Sequence, residues 1–197
     1  MTFIEDARRA QILDAAIRVI AEQGYAAASM GRIAERIGVS RALINYHFRT
    51  RTALIDAVVE DCYAAGHRAI RPAMDESGSA AGMLDAFLAG SIAFYRAEPH
   101  RIGALGEIMA GTLKSDYRPV AARLQGELDA LTLLFQEGQR AGEFRAFDPA
   151  IMASVVRGAL DGLIRDWARD PGLDLDQYRD ELITTLRQAT HRRRPRT

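Results

Sequence analysis

A cationic segment without carboxylates offers the clearest chemistry in this sequence. Residues 36–55 contain no Asp or Glu, and the segment carries Arg36, Arg41, His47, Arg49 and Arg51. Arginines whose charge is not balanced nearby can neutralise the phosphates of a nucleic acid backbone. Over the whole chain the charges cancel, with 26 Lys and Arg against 26 Asp and Glu, so the local excess is informative. The segment therefore predicts a nucleic acid contact.

Two short helices joined by a tight turn are predicted to position this segment. Ser29 is suited to cap a helix whose apolar residues Ile33 and Ile37 recur on one face. Gly38 is expected to end that helix, and Ser40 to cap the next one two residues later. This spacing is typical of a helix-turn-helix, whose second helix lies in the major groove of DNA while the first crosses the backbone.

Several fixed spacings hold together in the same stretch, carried by Ile33-Ala34, Gly38-Val39-Ser40, His47-Phe48, Arg51 and Leu54. In these residues the N-terminal part of the chain resembles the DNA-binding domain of the TetR family of bacterial repressors. Two positions depart from the family pattern. Asn45 stands where the family usually has a tyrosine that touches the DNA backbone, and Arg51 stands where lysine is commoner. Arginine keeps the charge of lysine but not its shape.

Eight residues are the candidate DNA contacts: Ser29, Ser40, Arg41, Ala42, Asn45, Tyr46, His47 and Arg51. Arg41 lies one position past the cap of the presumed recognition helix, where an arginine can bind guanine bidentately or contact a phosphate, and both readings stay open. Ser29 can offer a hydroxyl and backbone N–H groups to a phosphate. The resemblance implies backbone contacts from Tyr46 and His47 and a phosphate contact from Arg51.

The rest of the chain reads as helix. Helices are predicted over 5–23, from 51 towards 74, in the apolar stretch 83–95, over 116–140, over 148–169 and over 174–190, with a loop at 75–80. A segment over 101–113 carries Gly103, Gly106 and Gly111, each costing about 1 kcal/mol relative to Ala in a helix interior. That segment is therefore either closely packed or marginally stable.

The resemblance implies an all-α chain with a three-helix DNA-binding domain at 1–50, an effector-binding and dimerisation domain at 51–190 and a disordered basic tail at 191–197. The helix that starts at 51 has no linker before Pro72, so it is expected to carry a displacement from one domain to the other. Polar and aromatic residues on the inner helices are the candidate effector ligands, with plain core packing as the alternative for each: Tyr63, His67, Phe87, Phe94, Tyr95, Met109, Phe135 and Trp167.

A dimer interface is predicted in the last two helices. The apolar positions of 148–169 cover too wide an arc for one buried face. With 174–190 they are expected to pair with their symmetry mates in a four-helix interface. Trp167 is an alternative interface residue. The predicted interface residues are Val155, Val156, Ala159, Leu160, Leu163, Leu182 and Leu186.

Other classes of protein fit the sequence poorly. Cys62 is the only cysteine, which allows no internal disulfide and suits a reducing cytoplasm. No signal peptide or membrane span is evident. Cys62 and His67 are five residues apart on one helix and lie on different faces. Histidine spacings suggest no metal site, and there is no phosphate-binding glycine loop or GxSxG motif. We therefore expect no enzyme and no cofactor.

Taken together, these features predict a homodimeric, cytoplasmic transcriptional regulator. The expected partner is a palindromic double-stranded operator, with recognition helices roughly 34–36 Å apart. A repressor released by a small-molecule effector is the expected mode of action. Two alternatives stay open. One is an activator or a DNA binder switched by another protein without a small-molecule ligand. The other is a helical protein-interaction module that no longer binds DNA, which the departure at Asn45 favours.

Overall fold

The computed structural model describes residues 3–191, and that part of the chain is helical almost throughout. It forms, within those residues, nine α-helices and one 3-10 turn at Tyr25–Ala27. The helices are α1 (Phe3–Gln23), α2 (Met30–Arg36), α3 (Arg41–His47), α4 (Arg51–Glu76), α5 (Ala80–Ala97), α6 (Pro99–Thr112), α7 (Pro119–Arg140), α8 (Pro149–Arg169) and α9 (Leu175–Thr190). The predicted all-α fold is confirmed. The tail predicted at 191–197 lies outside the described residues beyond His191.

Short-range side-chain bonds account for the helix starts. The Ser29 hydroxyl accepts a hydrogen bond from the Arg32 amide, and the Ser40 hydroxyl accepts one from the Leu43 amide, both at 3.2 Å. Gly38 separates α2 from α3 with φ 66°, a left-handed conformation that glycine adopts without a Cβ clash. The same kind of cap begins α4, α8 and α9, at Thr50, Asp148 and Asp174. The predicted helix-turn-helix is therefore present.

Helix α4 is longer than its sequence pattern suggested. It continues through Pro72 to Glu76, so the loop predicted at 75–80 shrinks to residues 77–79. Proline removes one backbone hydrogen bond from a helix, and the neighbouring turns keep theirs. The shortened loop contains Gly78, whose φ of 68° is a left-handed conformation.

Two compact units divide the chain, and the division differs from the boundary predicted at residue 50. The first unit comprises the chain up to Ala65 together with Glu98–Arg123, and the second comprises Gly66–Ala97 and the chain from Leu124 onward. The divisions fall within α4, between α5 and α6, and within α7. The first unit extends beyond the three N-terminal helices because α6 packs against α1 and adds Ala104 and Ile108 to their core. Contacts between residues so far apart are not visible in a linear pattern.

In the first unit, helix α1 lies against α2 and α6. A Cβ added at Gly103 would lie 3.4 Å from the Cβ of Ala21, and one added at Gly111 would overlap the Tyr25 ring. Close packing therefore explains both of these glycines in α6, while Gly106 has open space beside it. The core contains Ile12, Ile17, Ile20, Ile33, Ile44, Phe48 and Leu54.

In the second unit, α5 packs against α8 and α9. Four residues predicted for the dimer interface lie in the protomer's own core, at most 3% exposed: Val156, Leu160, Leu163 and Leu186. They have almost no surface left to lose to a partner, so they are core residues rather than interface residues. Of the other three, Val155 is 51% exposed, and Ala159 and Leu182 are half-buried.

Candidate nucleic-acid interface

Helix α3 presents one face to the core and the opposite face to solvent. Ile44 is fully buried, and Phe48, which follows the helix, is also buried. The exposed side carries Arg41, Ala42, Asn45 and Tyr46, four of the predicted DNA contacts. Successive residues of an α-helix are about 100° apart, so these four span one continuous arc. A recognition helix needs such an outward arc, and the buried residues behind it hold it in place.

Three arginines near this arc are available for DNA. Arg32, Arg41 and Arg49 are exposed, and within residues 3–191 no ion pair or side-chain hydrogen bond engages them. Exposed arginine side chains without a partner are what phosphate or base contacts require. Ser29 and Ser40 are exposed as well, and their hydroxyl oxygens already serve as helix caps.

Arg36 is not free, although the linear pattern counted it in the cationic segment. Its guanidinium donates to both carboxylate oxygens of Glu22, at 2.7 and 2.9 Å. The hydrogen bond from Arg36 lowers the pKa of Glu22. The two residues are 14 positions apart and meet because α1 lies beside α2. A sequence window of 36–55 could not reveal this partner.

Tyr46 is tied to the start of α1. It is 70% exposed, and its hydroxyl donates to a Glu5 carboxylate oxygen at 3.1 Å. This hydrogen bond raises the pKa of Tyr46. Its ring also meets the half-buried His47 ring edge-on, with centroids 5.2 Å apart. Sequence reasoning missed Glu5, which lies 41 residues away.

Arg51 makes a different contact from the one its resemblance implied. Its Nε donates to the Ala28 carbonyl oxygen at 2.7 Å, and one terminal nitrogen donates to the Tyr25 carbonyl oxygen at 2.5 Å. The guanidinium also stacks on the Tyr25 ring, 4.2 Å from its centroid. The half-buried side chain thus binds the turn that precedes α2. A phosphate contact by this residue stays a prediction.

Arg9 of α1 packs on Phe48, the residue that follows α3. Its guanidinium lies 4.4 Å from the centroid of the Phe48 ring, within the range of a cation–π interaction. One of its terminal nitrogens is buried without a hydrogen-bond partner among the described residues. Together, Arg9 and the buried aromatic ring fix the end of the recognition helix against α1.

Comparison with known proteins identifies this architecture. The profile of the bacterial regulatory proteins of the tetR family matches residues 12–58, which span most of α1, all of α2 and α3, and the start of α4. Residues 12–58 belong to the TetR family. The outward arc on α3 lies inside this matched stretch.

Similarity to individual proteins supports this assignment. The regulator BetI of Escherichia coli is 28% identical over 186 residues, which cover 92% of each chain. The repressor Rv1474c of Mycobacterium tuberculosis is 47% identical over 55 residues, 28% of this chain and 29% of that protein. AibR, solved with isovaleryl coenzyme A and operator DNA, superposes with a TM-score of 0.76 at 20% identity, covering 90% of this chain and 97% of AibR. That last likeness shows a shared fold.

The predicted effector residues are divided between the two units. Tyr63 and Met109 belong to the first unit, and the other six belong to the second. His67 is exposed, as is Met109. Phe135 is fully buried and packs on Phe144 and Phe147, with ring centroids 5.6 and 5.4 Å away, and its role as an effector ligand stays a prediction. Phe87, Phe94 and Tyr95 are buried on α5, and Trp167 is half-buried on α8.

Two surface grooves in the second unit are lined by other residues. One lies between the ends of α7 and α9, beside Gln139 and Gln188, and the other lies at the start of α9, beside Gln177 and Leu182. Neither groove contains any of the eight predicted effector residues. The position of an effector site therefore stays a prediction.

A half-buried ionic network joins three helices of the second unit. Arg157 of α8 donates to Glu127 at 2.8 Å, to Asp161 at 2.5 and 3.0 Å, and to the Tyr95 hydroxyl at 3.2 Å. Although burial disfavours its charged form, interactions with Tyr95, Glu127 and Asp161 raise the pKa of Arg157. Burial also raises the pKa of Tyr95. Each of the three guanidinium nitrogens of Arg157 therefore donates a hydrogen bond inside the second unit.

Over residues 3–191, no group of three His, Cys, Asp or Glu side chains is placed to hold a metal ion. No helix in that same stretch has the length and apolar character needed to cross a membrane.

Proposed function

We propose that this chain is a homodimeric repressor that binds a palindromic operator and is released by a small-molecule effector in the bacterial cytoplasm. The observation that carries the proposal is the outward arc of α3, with Arg41 and Asn45 one helical turn apart on its exposed side. Arg41 is suited to guanine and Asn45 to adenine in the major groove. Arg32 and Arg49 supply unpaired charge for the phosphates on either side.

Dimerisation is supported by the exposed face of α8. Ile151 is 65% exposed and Val155 is 51% exposed, and a Cβ added at Gly158 would meet nothing within 4 Å. These three positions follow the spacing i, i+4, i+7 and so lie on one side of the helix. Exposed large apolar side chains beside a bare glycine favour a second helix at close range. A symmetric pair would place two recognition helices on one operator.

An effector is supported by relatives rather than by a bound molecule. AibR shares the fold and is solved with isovaleryl coenzyme A and operator DNA, which supports an effector for this chain. Helix α4 runs without interruption through residues of both units, from Arg51 to Glu76. An effector shifts DNA affinity only by its different affinity for two conformations, and a coupling of about 1–3 kcal/mol is typical.

The test is DNA binding as a function of salt. Purified protein is titrated against a labelled fragment of its own upstream region and against a scrambled fragment, over a series of salt concentrations. We expect log affinity to fall steeply with log salt, and Arg41→Ala to reduce the preference for the upstream fragment. A protein that ignores both fragments at low salt would instead be an interaction module.

A further inference from the structure

Arg51, for which a phosphate contact is predicted, is already bonded within the first unit. Both the Nε and one terminal nitrogen already donate to backbone carbonyls, at 2.7 and 2.5 Å. The side chain is half-buried, and its planar face rests on Tyr25. A lysine, with a single ammonium on a flexible stem, cannot make this paired and stacked contact. The replacement of the family's lysine by arginine thus matches a contact that requires arginine.

The carbonyls that Arg51 binds lie where α2 is set in place. Ala28 is immediately before Ser29, the residue that caps α2. Tyr25 begins the 3-10 turn that leads into it. A shift of this turn would move the first helix of the helix-turn-helix and, through the tight turn at Gly38, the recognition helix as well.

Helix α6, which also belongs to the first unit, contacts the same turn. Gly111 of α6 adjoins the Tyr25 ring so closely that a Cβ at this position would overlap it. The ring therefore contacts Gly111 as well as the Arg51 guanidinium, which stacks 4.2 Å from its centroid. On the same helix, Gly106 has open space beside it. The two glycines provide a matched pair for substitution.

We propose, building on the operator binding proposed above, that Arg51 is a positioning residue. It holds the turn at Tyr25–Ala28 and thereby the angle of the helix-turn-helix, with Tyr25 braced by Gly111. Only molecules in which this turn is in place then bind DNA. The apparent affinity for DNA therefore decreases when the fraction of such molecules decreases.

The deciding variant is Arg51→Lys, which keeps the charge and restores the family's commoner residue. We expect operator affinity to fall about tenfold, the loss that one charged hydrogen bond would cause. The slope of log affinity against log salt should stay at the wild-type value, because no phosphate contact is removed. The ratio of operator to scrambled-DNA affinity should also fall. Unchanged affinity in Arg51→Lys would mean that the residue serves DNA only as a positive charge, and the proposal would be overturned.

A double-mutant cycle tests the link to α6. Gly111→Ala displaces Tyr25 without changing any charge, and it should lower operator affinity, whereas Gly106→Ala should not. Arg51→Lys combined with Gly111→Ala should lose little more than the worse single variant, since both changes release the same turn. Losses that multiply would refute the shared mechanism. A circular dichroism spectrum at the assay temperature and a thermal melting curve show whether each variant is folded.

The two proposals fail in different ways. Wild-type protein that binds no DNA at low salt refutes operator binding itself. Wild-type binding with an unimpaired Arg51→Lys variant refutes only the positioning role.

Discussion

Removing the guanidinium of Arg157 should destabilise the second unit severely. The side chain of Arg157 is 13% exposed, and the carboxylates of Glu127 and Asp161 are 20% and 34% exposed. Arg157→Met fills similar space but leaves both carboxylates without their cation. Breaking a fully buried pair costs about 3–5 kcal/mol, and partial exposure of Asp161 places this case near the lower end, at about 3 kcal/mol. For a chain of this size the melting temperature should drop by about 6–12 °C.

The assay is urea unfolding followed by circular dichroism at neutral pH, with protein concentration held constant because the proposed dimerisation would add to stability. Arg165→Met is the matched control, since Arg165 is an exposed arginine two turns further along α8. Lowering the pH should shrink the deficit of Arg157→Met, because protonation removes the unpaired negative charge. A deficit below about 1 kcal/mol, or one equal to that of Arg165→Met, would show that the network contributes little.

Three further outcomes can be measured on the same protein. Val155→Asp should shift the dimer to monomer in analytical ultracentrifugation, whereas Ala130→Asp on the exposed side of α7 should not; an unaffected dimer would move the interface elsewhere. Burial raises the pKa of Cys62 to about 12, so only about 10⁻⁴ of the thiol is ionised at pH 8 and alkylation should be slow until urea unfolds the protein; rapid labelling of the native protein would contradict this. Gly138→Ala should cost about 1–3 kcal/mol in urea unfolding, because its Cβ would overlap the Phe144 ring; wild-type stability would show that the ring moves aside freely.

The amino-acid sequence alone determined the helical character of this chain and the place of its helix-turn-helix. The signals that set these features are local. Ser29 and Ser40 cap the amides three residues ahead, and Gly38 supplies the left-handed turn between them. Interactions that span three or four residues depend on little beyond the order of residues.

Only the tertiary structure decided what each exposed or charged residue is free to do. Arg36 lies in a stretch without acids, yet Glu22 pairs with it from another helix. Arg51 donates hydrogen bonds to backbone carbonyls 23 and 26 residues away. Val156 and Leu160 lie in the core of the second unit, while the adjacent Val155 is 51% exposed. The physical reason is the same in each case. Which side chains meet depends on how the helices pack against each other. Helical periodicity predicts the apolar face of a helix but not the residues that pack on that face.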